Sequence, residues 1–458
     1  MLEGKGQMVS RDDLPSGVGP DDGRTVQPPP SGGSFVRIRG MIVRFRTHLA
    51  NLTAFTIIQA ASYLIPVITI PYFARTLGIA GMGQLAIAGA VALGAGVLMD
   101  YAIQLSGTRF AASHIDDHVA IGRYLNTTTI VKLAILAPIF LSLCLSAFVF
   151  QQVGSHFWVF FWSLLSAVML CLFPQWLFQG MLIMPLAARL IVTCRVGAAV
   201  LAMLLVRTPE DAFIVPATQA VAGAVALLAA ARMLKRRYGI TMTRSLPAEV
   251  KGLFSENWTL FSATAWGAVY AHGGVIIMST MLSTTSIGFY SIAQKISQAF
   301  VSMFNVAAQT SFPSFVRSHI RAPGKLGAQV RLYIAAVAVA AAMALLIMFA
   351  LREHIYIFFS ARHSDVGIMI FSIWLATSFF TIISVSLNPV MIVLRLDSSM
   401  AVVYRLVGLS FLIAAPIACI YFGVIGMAST MLVTEAAMAL FCATSVLGGL
   451  NFIKRAVR

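Results

Sequence analysis

Residues 50–73, ANLTAFTIIQAASYLIPVITIPYF, run for 24 positions without Asp, Glu, Lys or Arg. About 20 such residues, wound as a helix, cross a hydrocarbon layer of about 30 Å. The opening of this stretch, Asn51-Leu52-Thr53-Ala54-Phe55, returns 206 positions later as Asn257-Trp258-Thr259-Leu260-Phe261. Just beyond it, Leu77, Gly83 and Ile87-Ala88 return as Leu282, Gly288 and Ile292-Ala293, at an offset of 205. Two matches at one offset, to within a single-residue gap, indicate a chain built from two duplicated halves. The expected fold is therefore an all-α polytopic membrane protein.

The rest of the chain has the same character. Of its 458 residues 59% are hydrophobic and only 10% charged, with a mean hydropathy of +0.87, which excludes a soluble globular domain. Apolar segments recur near 50–73, 82–105, 126–150, 155–179, 187–206, 211–232, 257–282, 285–311, 329–351, 365–391, 400–422 and 424–450. Twelve transmembrane helices follow, six per half. Because six is even, the halves share one orientation and form parallel-repeat six-helix lobes around a central cleft. With the amino terminus inside, 25 Lys or Arg fall on inner segments and four (Arg75, Arg207, Arg352, Arg362) on outer ones, leaving Lys132, Arg195 and Lys295 within spans. That split predicts cytoplasmic termini. It also absorbs the net charge of +16, so nucleic acid is not an expected partner.

The expected organisation is a disordered, basic cytoplasmic tail over 1–48, an N-terminal six-helix lobe over 49–232, a basic linker over 233–256, and a C-terminal lobe with a short tail over 257–458. Residues 1–34 are rich in Pro, Gly and Asp and lack the apolar run that order, or a secretory signal, would need. Residues 35–48 mix Phe, Ile and Val with four arginines, which suits either a segment on an anionic membrane surface or a topogenic flank. The five cysteines lie in apolar runs without metal spacing, so no metal, disulfide framework or cofactor is expected.

Polar residues inside spans are the informative ones, since a charge at the bilayer centre costs about 2.5–3.5 kcal/mol even on insertion scales. In the eighth segment Lys295, Gln298, Ser302, Asn305 and Gln309 recur at helical spacing and occupy one face, a row expected to line a hydrated cavity. The first segment carries Thr56, Gln59, Tyr63 and Pro66. Its repeat mate carries Thr259, Ser262, Trp266 and Tyr270, with His272 nearby. Pro66 and Pro71 interrupt the first helix's ladder and mark a bend or hinge. Asp100, whose repeat counterpart is Asn305, either pairs with Lys295, Arg109 or Lys132 or carries a proton; Glu435 in the twelfth segment is a second titratable candidate. Arg195 either snorkels to the inner face or turns toward the cleft. No metal motif, phosphate loop or nucleophile triad is present, and the outer segments offer only Glu210, Asp211, Glu353 and Asp365, so the chain is not expected to be an enzyme.

Six stretches carry a further likeness: IPYFARTLG (70–78) with Gly83, MDYAIQLSGTRFAASHIDD (99–117), FPQWLFQGM (173–181), RTPEDAF (207–213), IGFYSIAQKI (287–296) and SFPSF (311–315). In these the chain resembles the polysaccharide and O-antigen flippases (Wzx type) of the multidrug, oligosaccharidyl-lipid and polysaccharide exporter superfamily. Pro389, in LNPVMIVLRLDSS (387–399), departs from the pattern. The resemblance implies a protein of the bacterial inner membrane that moves an undecaprenyl-pyrophosphate-linked oligosaccharide between leaflets, through a cleft between two six-helix lobes. Membrane lipids, a polysaccharide polymerase and a chain-length regulator are the implied partners. On that reading Lys295, Arg75, Gln298, Asn305, Gln59, Tyr63, Trp266 and His272 would bind substrate, while Asp100, Glu435, Pro66 and Pro71 would serve coupling or gating. Two alternatives are an ion-coupled multidrug antiporter of the same superfamily, which would favour acidic sites, and a membrane polysaccharide polymerase or ligase, which would need a large outer loop.

Overall fold

The computed structural model describes residues 33–149, 151–321 and 323–456, and of residues 33–49 the helical backbone alone. Of the tail expected to be disordered over 1–48, the first 32 residues lie outside what is described, whereas the backbone of 33–48 is helical rather than disordered; the surface role of 35–48 rests on side chains outside what is described. Residues up to Thr47 form one unit and His48–Arg458 a second, the membrane body. Among the described residues there is no strand.

The first half contains α1 (Gly33–Thr76), α2 (Gly78–Asp100), α3 (Ile103–Ser113), α4 (His118–Val149), α5 (Gln151–Ser155), α6 (Phe157–Leu172), α7 (Gln175–Gly180), α8 (Met184–Leu205) and α9 (Ile214–Tyr238). The second contains α10 (Pro247–Ser279), α11 (Thr284–Arg321), α12 (Pro323–Ala350), α13 (Arg352–Ser360), α14 (Asp365–Val393) and α15 (Asp397–Ala456). Nine described stretches are long and apolar enough to cross a membrane. The expected seventh and eighth segments coincide with α10 and α11. The last two share the stretch Val402–Asn451, broken at Gly423, whose φ of 58° and ψ of −140° leave the helical region.

Two expected segments are each divided. The second is cut at Tyr101 and Ala102, both left-handed with φ of 47° and 58°. No Gly or Pro marks this break, and a partner in the other half holds it: Asn257, 2% exposed, donates its side-chain amide to the Tyr101 carbonyl at 3.3 Å and to Ser106 Oγ at 2.9 Å. The Tyr101 ring stacks on Phe261 at 4.4 Å, and its hydroxyl donates to the Phe254 carbonyl at 3.1 Å. The fourth segment is cut at Phe173 and Pro174, where Pro174 cannot continue the backbone ladder.

The repeat explains how the halves meet. We call the face carrying Gly78 and Thr284 the outer face, following the charge split. There a methyl group on Gly83 would overlap the Thr284 carbonyl, and one on Gly288 would overlap the Ile79 carbonyl. Ile79 and Thr284 stand at the same offset of 205 as the two glycines, so the contact is made twice about a pseudo-two-fold axis. Bare backbone lets α2 and α11 touch.

Buried side chains confirm where the halves join. One continuous core runs through Ile79 and Met82 of α2, Ile287 and Tyr290 of α11, Phe371 of α14 and Met427 of α15. Toward the inner face the described cores separate. One unites Tyr101, Ile121, Trp176, Ile191 and Leu253; another unites Phe315, Leu326, Val390, Val403 and Met438. The halves thus share a core at the outer face; at the inner one the second half has a core of its own, while the first half's core takes in Leu253 of α10.

Loops are tied down by local chemistry. Asp211, between α8 and α9, accepts the Arg207 and Thr208 amides at 3.0 and 2.8 Å. In the linker before α10, Ser245 Oγ receives Asn126 Nδ2 at 3.1 Å and Thr127 Oγ1 at 2.8 Å, and Arg123 lies 3.6 Å from Glu249.

Candidate functional site

A cavity of about 450 Å³ lies inside the first half, walled by α1, α2, α6, α8 and α9. Lys295 of α11, half-buried, is the lining residue supplied by the second half. Arg195 of α8 lines the same space and donates to Ser62 Oγ of α1, whose own hydroxyl donates to the Ile58 carbonyl at 2.7 Å. Pro66 also lines the cavity. Having no N–H, it cannot give Ser62's carbonyl the usual helical bond. The lining contains two cations and no carboxylate, and among the described residues no ion pair involves Arg195 or Lys295. The charge-bearing, desolvated character of this space is the feature that in a membrane interior demands a function.

The remainder of the α11 row points its hydrogen bonds at its own helix. Ser302 donates to the Ala299 carbonyl at 2.6 Å, Gln309 donates to Asn305 at 3.3 Å, and Gln298 is exposed. Residues gluing a bundle together would find partners on other helices; Ser302 and Gln309 find theirs on α11.

Other candidates stand elsewhere. Arg75 is exposed at the outer end of α1, with its guanidinium 5.9 Å from the centre of the Phe358 ring of α13, and is absent from the cavity wall. Gln59 and Tyr63 are half-buried on α1 and do not line the cavity either. Trp266 lies against Gly408 of α15, and His272 is half-buried six residues further along α10. Pro71 is buried, and α1 runs through both of its prolines without interruption.

The two acidic candidates are engaged. Asp100 accepts Lys132 Nζ at 3.3 Å and caps α3 through the Gln104 amide at 3.2 Å. Lys132, 4% exposed, also donates to the Cys171 carbonyl at 2.7 Å, so the pair ties α2, α4 and α6 together. Glu435 accepts the Tyr270 hydroxyl at 2.6 Å inside the second half. Arg195, which the sequence reading favoured as a snorkelling residue, lines the cavity instead. Its signal was present, since it is the twelfth residue of a 22-residue helix, roughly 16 Å from either end, and thus poorly placed to snorkel.

An all-helical body of two repeated lobes joined at one face is a fold this chain shares with solved transporters. It matches a multidrug resistance MATE family transporter of the MOP superfamily, solved in an inward-facing conformation, with a TM-score of 0.61 at 12% identity, covering 89% of this chain and 96% of the other. It also matches a superfamily transporter from Pyrococcus furiosus, with a TM-score of 0.55 at 11% identity, covering 89% and 96%. By sequence, residues 48–319 match the family described as "Polysaccharide biosynthesis protein", and the chain belongs to that family. It is 25% identical over 265 residues to the Escherichia coli (strain K12) protein named "Putative O-antigen transporter", covering 57% of this chain and 63% of that one. A protein of the same name from Shigella dysenteriae matches at 25% over 57% of this chain and 66% of its own length. The chain spans less than two thirds of these relatives.

Proposed function

We propose that this protein moves a lipid-linked oligosaccharide, carried on undecaprenyl pyrophosphate, across the bacterial inner membrane by alternating access, with both termini cytoplasmic. The observation that carries this reading is the cavity bearing Arg195 and Lys295 with no carboxylate in its wall. A pyrophosphate supplies the missing anion, and its hydrocarbon tail stays in the bilayer. The shared outer core, set against an inner core that belongs to the second half alone, fits a state that loads from the inner leaflet. A multidrug antiporter for cations would require acidic groups in that wall.

In this reading the twelve crossings surround one path, and Gln298, Asn305, Trp266 and His272 meet the sugar on the inner side of Lys295. Gln59 and Tyr63 extend the path along α1, and Arg75 meets anionic groups at the outer exit. Glu435, bonded to Tyr270, serves as the group whose protonation state or ion couples transport; Asp100 sets the α2–α3 break as a gate, and Pro66 with Pro71 lets α1 bend. A polymerase and a chain-length regulator receive the exported unit.

The test is complementation of a strain lacking the gene. Lys295→Ala, inserted at wild-type levels, abolishes surface polysaccharide and leaves the lipid-linked sugar in the inner leaflet; Arg75→Ala, at the exit, reduces output less. Normal polymer from a well-expressed Lys295→Ala refutes the proposal.

A further inference from the structure

We infer that the inner part of α10, Pro247–Phe261, and the linker before it travel with the first half as a strap, and that α10 flexes over residues 262–269 when the halves move. This rests on the alternating-access reading and adds to it where the moving bodies divide. The division falls within a helix, past the point at which the second repeat begins.

The linker lies on α4. Ile240 is buried, the Thr243 amide donates to the Gly122 carbonyl at 3.4 Å, and a methyl group on Gly122 would overlap the Thr241 carbonyl. Ser245 and Glu249 tie the next turn to the same helix. As α10 continues, it keeps the same company. Leu253 is buried in a core with Ile121 and Trp176, and Phe254 packs against that core. Asn257 bonds the Tyr101 carbonyl and Ser106 Oγ, and Phe261 stacks on the Tyr101 ring. Every one of these partners belongs to the first half.

Further along, the helix changes hands. Trp266 meets Gly408, Tyr270 bonds Glu435 and sets its ring edge-on to Phe411 at 5.5 Å, and Gly274 sits among Phe411, Met427 and Met431. These partners belong to the second half; Val275 and Met278 then enter the core that the halves share. Between the two holds, no described residue from 258 to 273 is buried. Gly267 faces open space. The Thr264 hydroxyl donates back to the Phe261 carbonyl at 2.9 Å, a bond of the kind that bends helices. Parting the strap from the first half would strip a buried amide of its partners and uncover a buried leucine. Bending 262–269 breaks no described side-chain hydrogen bond to either half, and segments with few buried contacts open at least cost.

Two measurements on the full chain check this. In the purified protein in detergent, amide hydrogen exchange is slow over 247–261 and 270–279 and fastest over 262–269; uniform protection along α10 overturns the inference. In cells, Thr127→Cys with Ser245→Cys, and separately Ser106→Cys with Asn257→Cys, are joined by dibromobimane in a background without the five native cysteines. The first pair replaces a hydroxyl contact of 2.8 Å and leaves Asn257 in place, so it decides the matter if the second fails to insert. Joined cells lose no polysaccharide output relative to singly substituted cells treated alike. Failure of the first pair to join shows that the contact is not held, and export halted by joining either pair shows that it must open; each overturns the inference, and the second leaves the transport role standing. If deleting the gene leaves polymer output intact, the transport role fails and the exchange pattern alone decides the strap.

Discussion

Asp100 and Lys132 show how far a charged residue can be read before its neighbours are known. Three cations stood within plausible reach of Asp100 in the sequence, and the one that pairs with it sits 32 positions away on α4. Lys132 is almost fully buried, while the Asp100 side chain is about a third exposed. Asp100→Asn therefore strands a buried ammonium. We expect a loss of about 1–3 kcal/mol, less than the 3–5 kcal/mol of a fully buried pair because solvent reaches the carboxylate. Thermal unfolding in detergent checks this, and Asp100→Asn combined with Lys132→Met should recover most of the loss. Lys295 and Arg195 were legible as costly residues in apolar segments, but their directions were not. Helical spacing gave Lys295 a polar face to share, whereas Arg195 has only apolar residues three and four positions away on α8, and only the packing of α1 against it shows which way it turns.

At the level of helices, positions were readable and interruptions were not. Hydropathy located the segments because apolar length is the one thing a span must have. The α2–α3 break was invisible because two ordinary residues, Tyr101 and Ala102, take left-handed conformations that Asn257 stabilises from 156 positions away. Gly83 and Gly288, by contrast, announced themselves through the repeat, and the structure gives their reason. Gly83→Val or Gly288→Val forces α2 and α11 apart at the outer face, since the added atoms fall on carbonyl oxygens rather than on flexible side chains. Each variant should insert normally yet fail to close the outer face. Cysteines placed near that contact, in a background lacking the five native thiols, should become reactive to an impermeant maleimide added outside. Unchanged protection would show that the contact tolerates a side chain and is not a closure.

For the whole molecule, the outer core is shared by the halves whereas the second half keeps an inner core of its own, and that asymmetry predicts which side is wet. Gln298→Cys and Asn305→Cys, further along α11 from the outer face than Lys295, should react with an impermeant thiol reagent in inside-out vesicles and stay protected in intact cells; the reverse pattern would invert the topology deduced from 25 inner and four outer cations. Duplication was legible in the chain, but the cavity's place within one lobe was not, because repeat arithmetic treats both halves alike while Lys295 maps onto Ala90. The paired glycines carry a last implication. If two identical half-length proteins once associated face to face, a single glycine, facing the carbonyl of a twin's residue four positions earlier, would have satisfied both sides of the dimer. Fusion into one polypeptide separated those roles, leaving each lobe free to acquire its own charges while the seam inherited from self-association had to be preserved in duplicate.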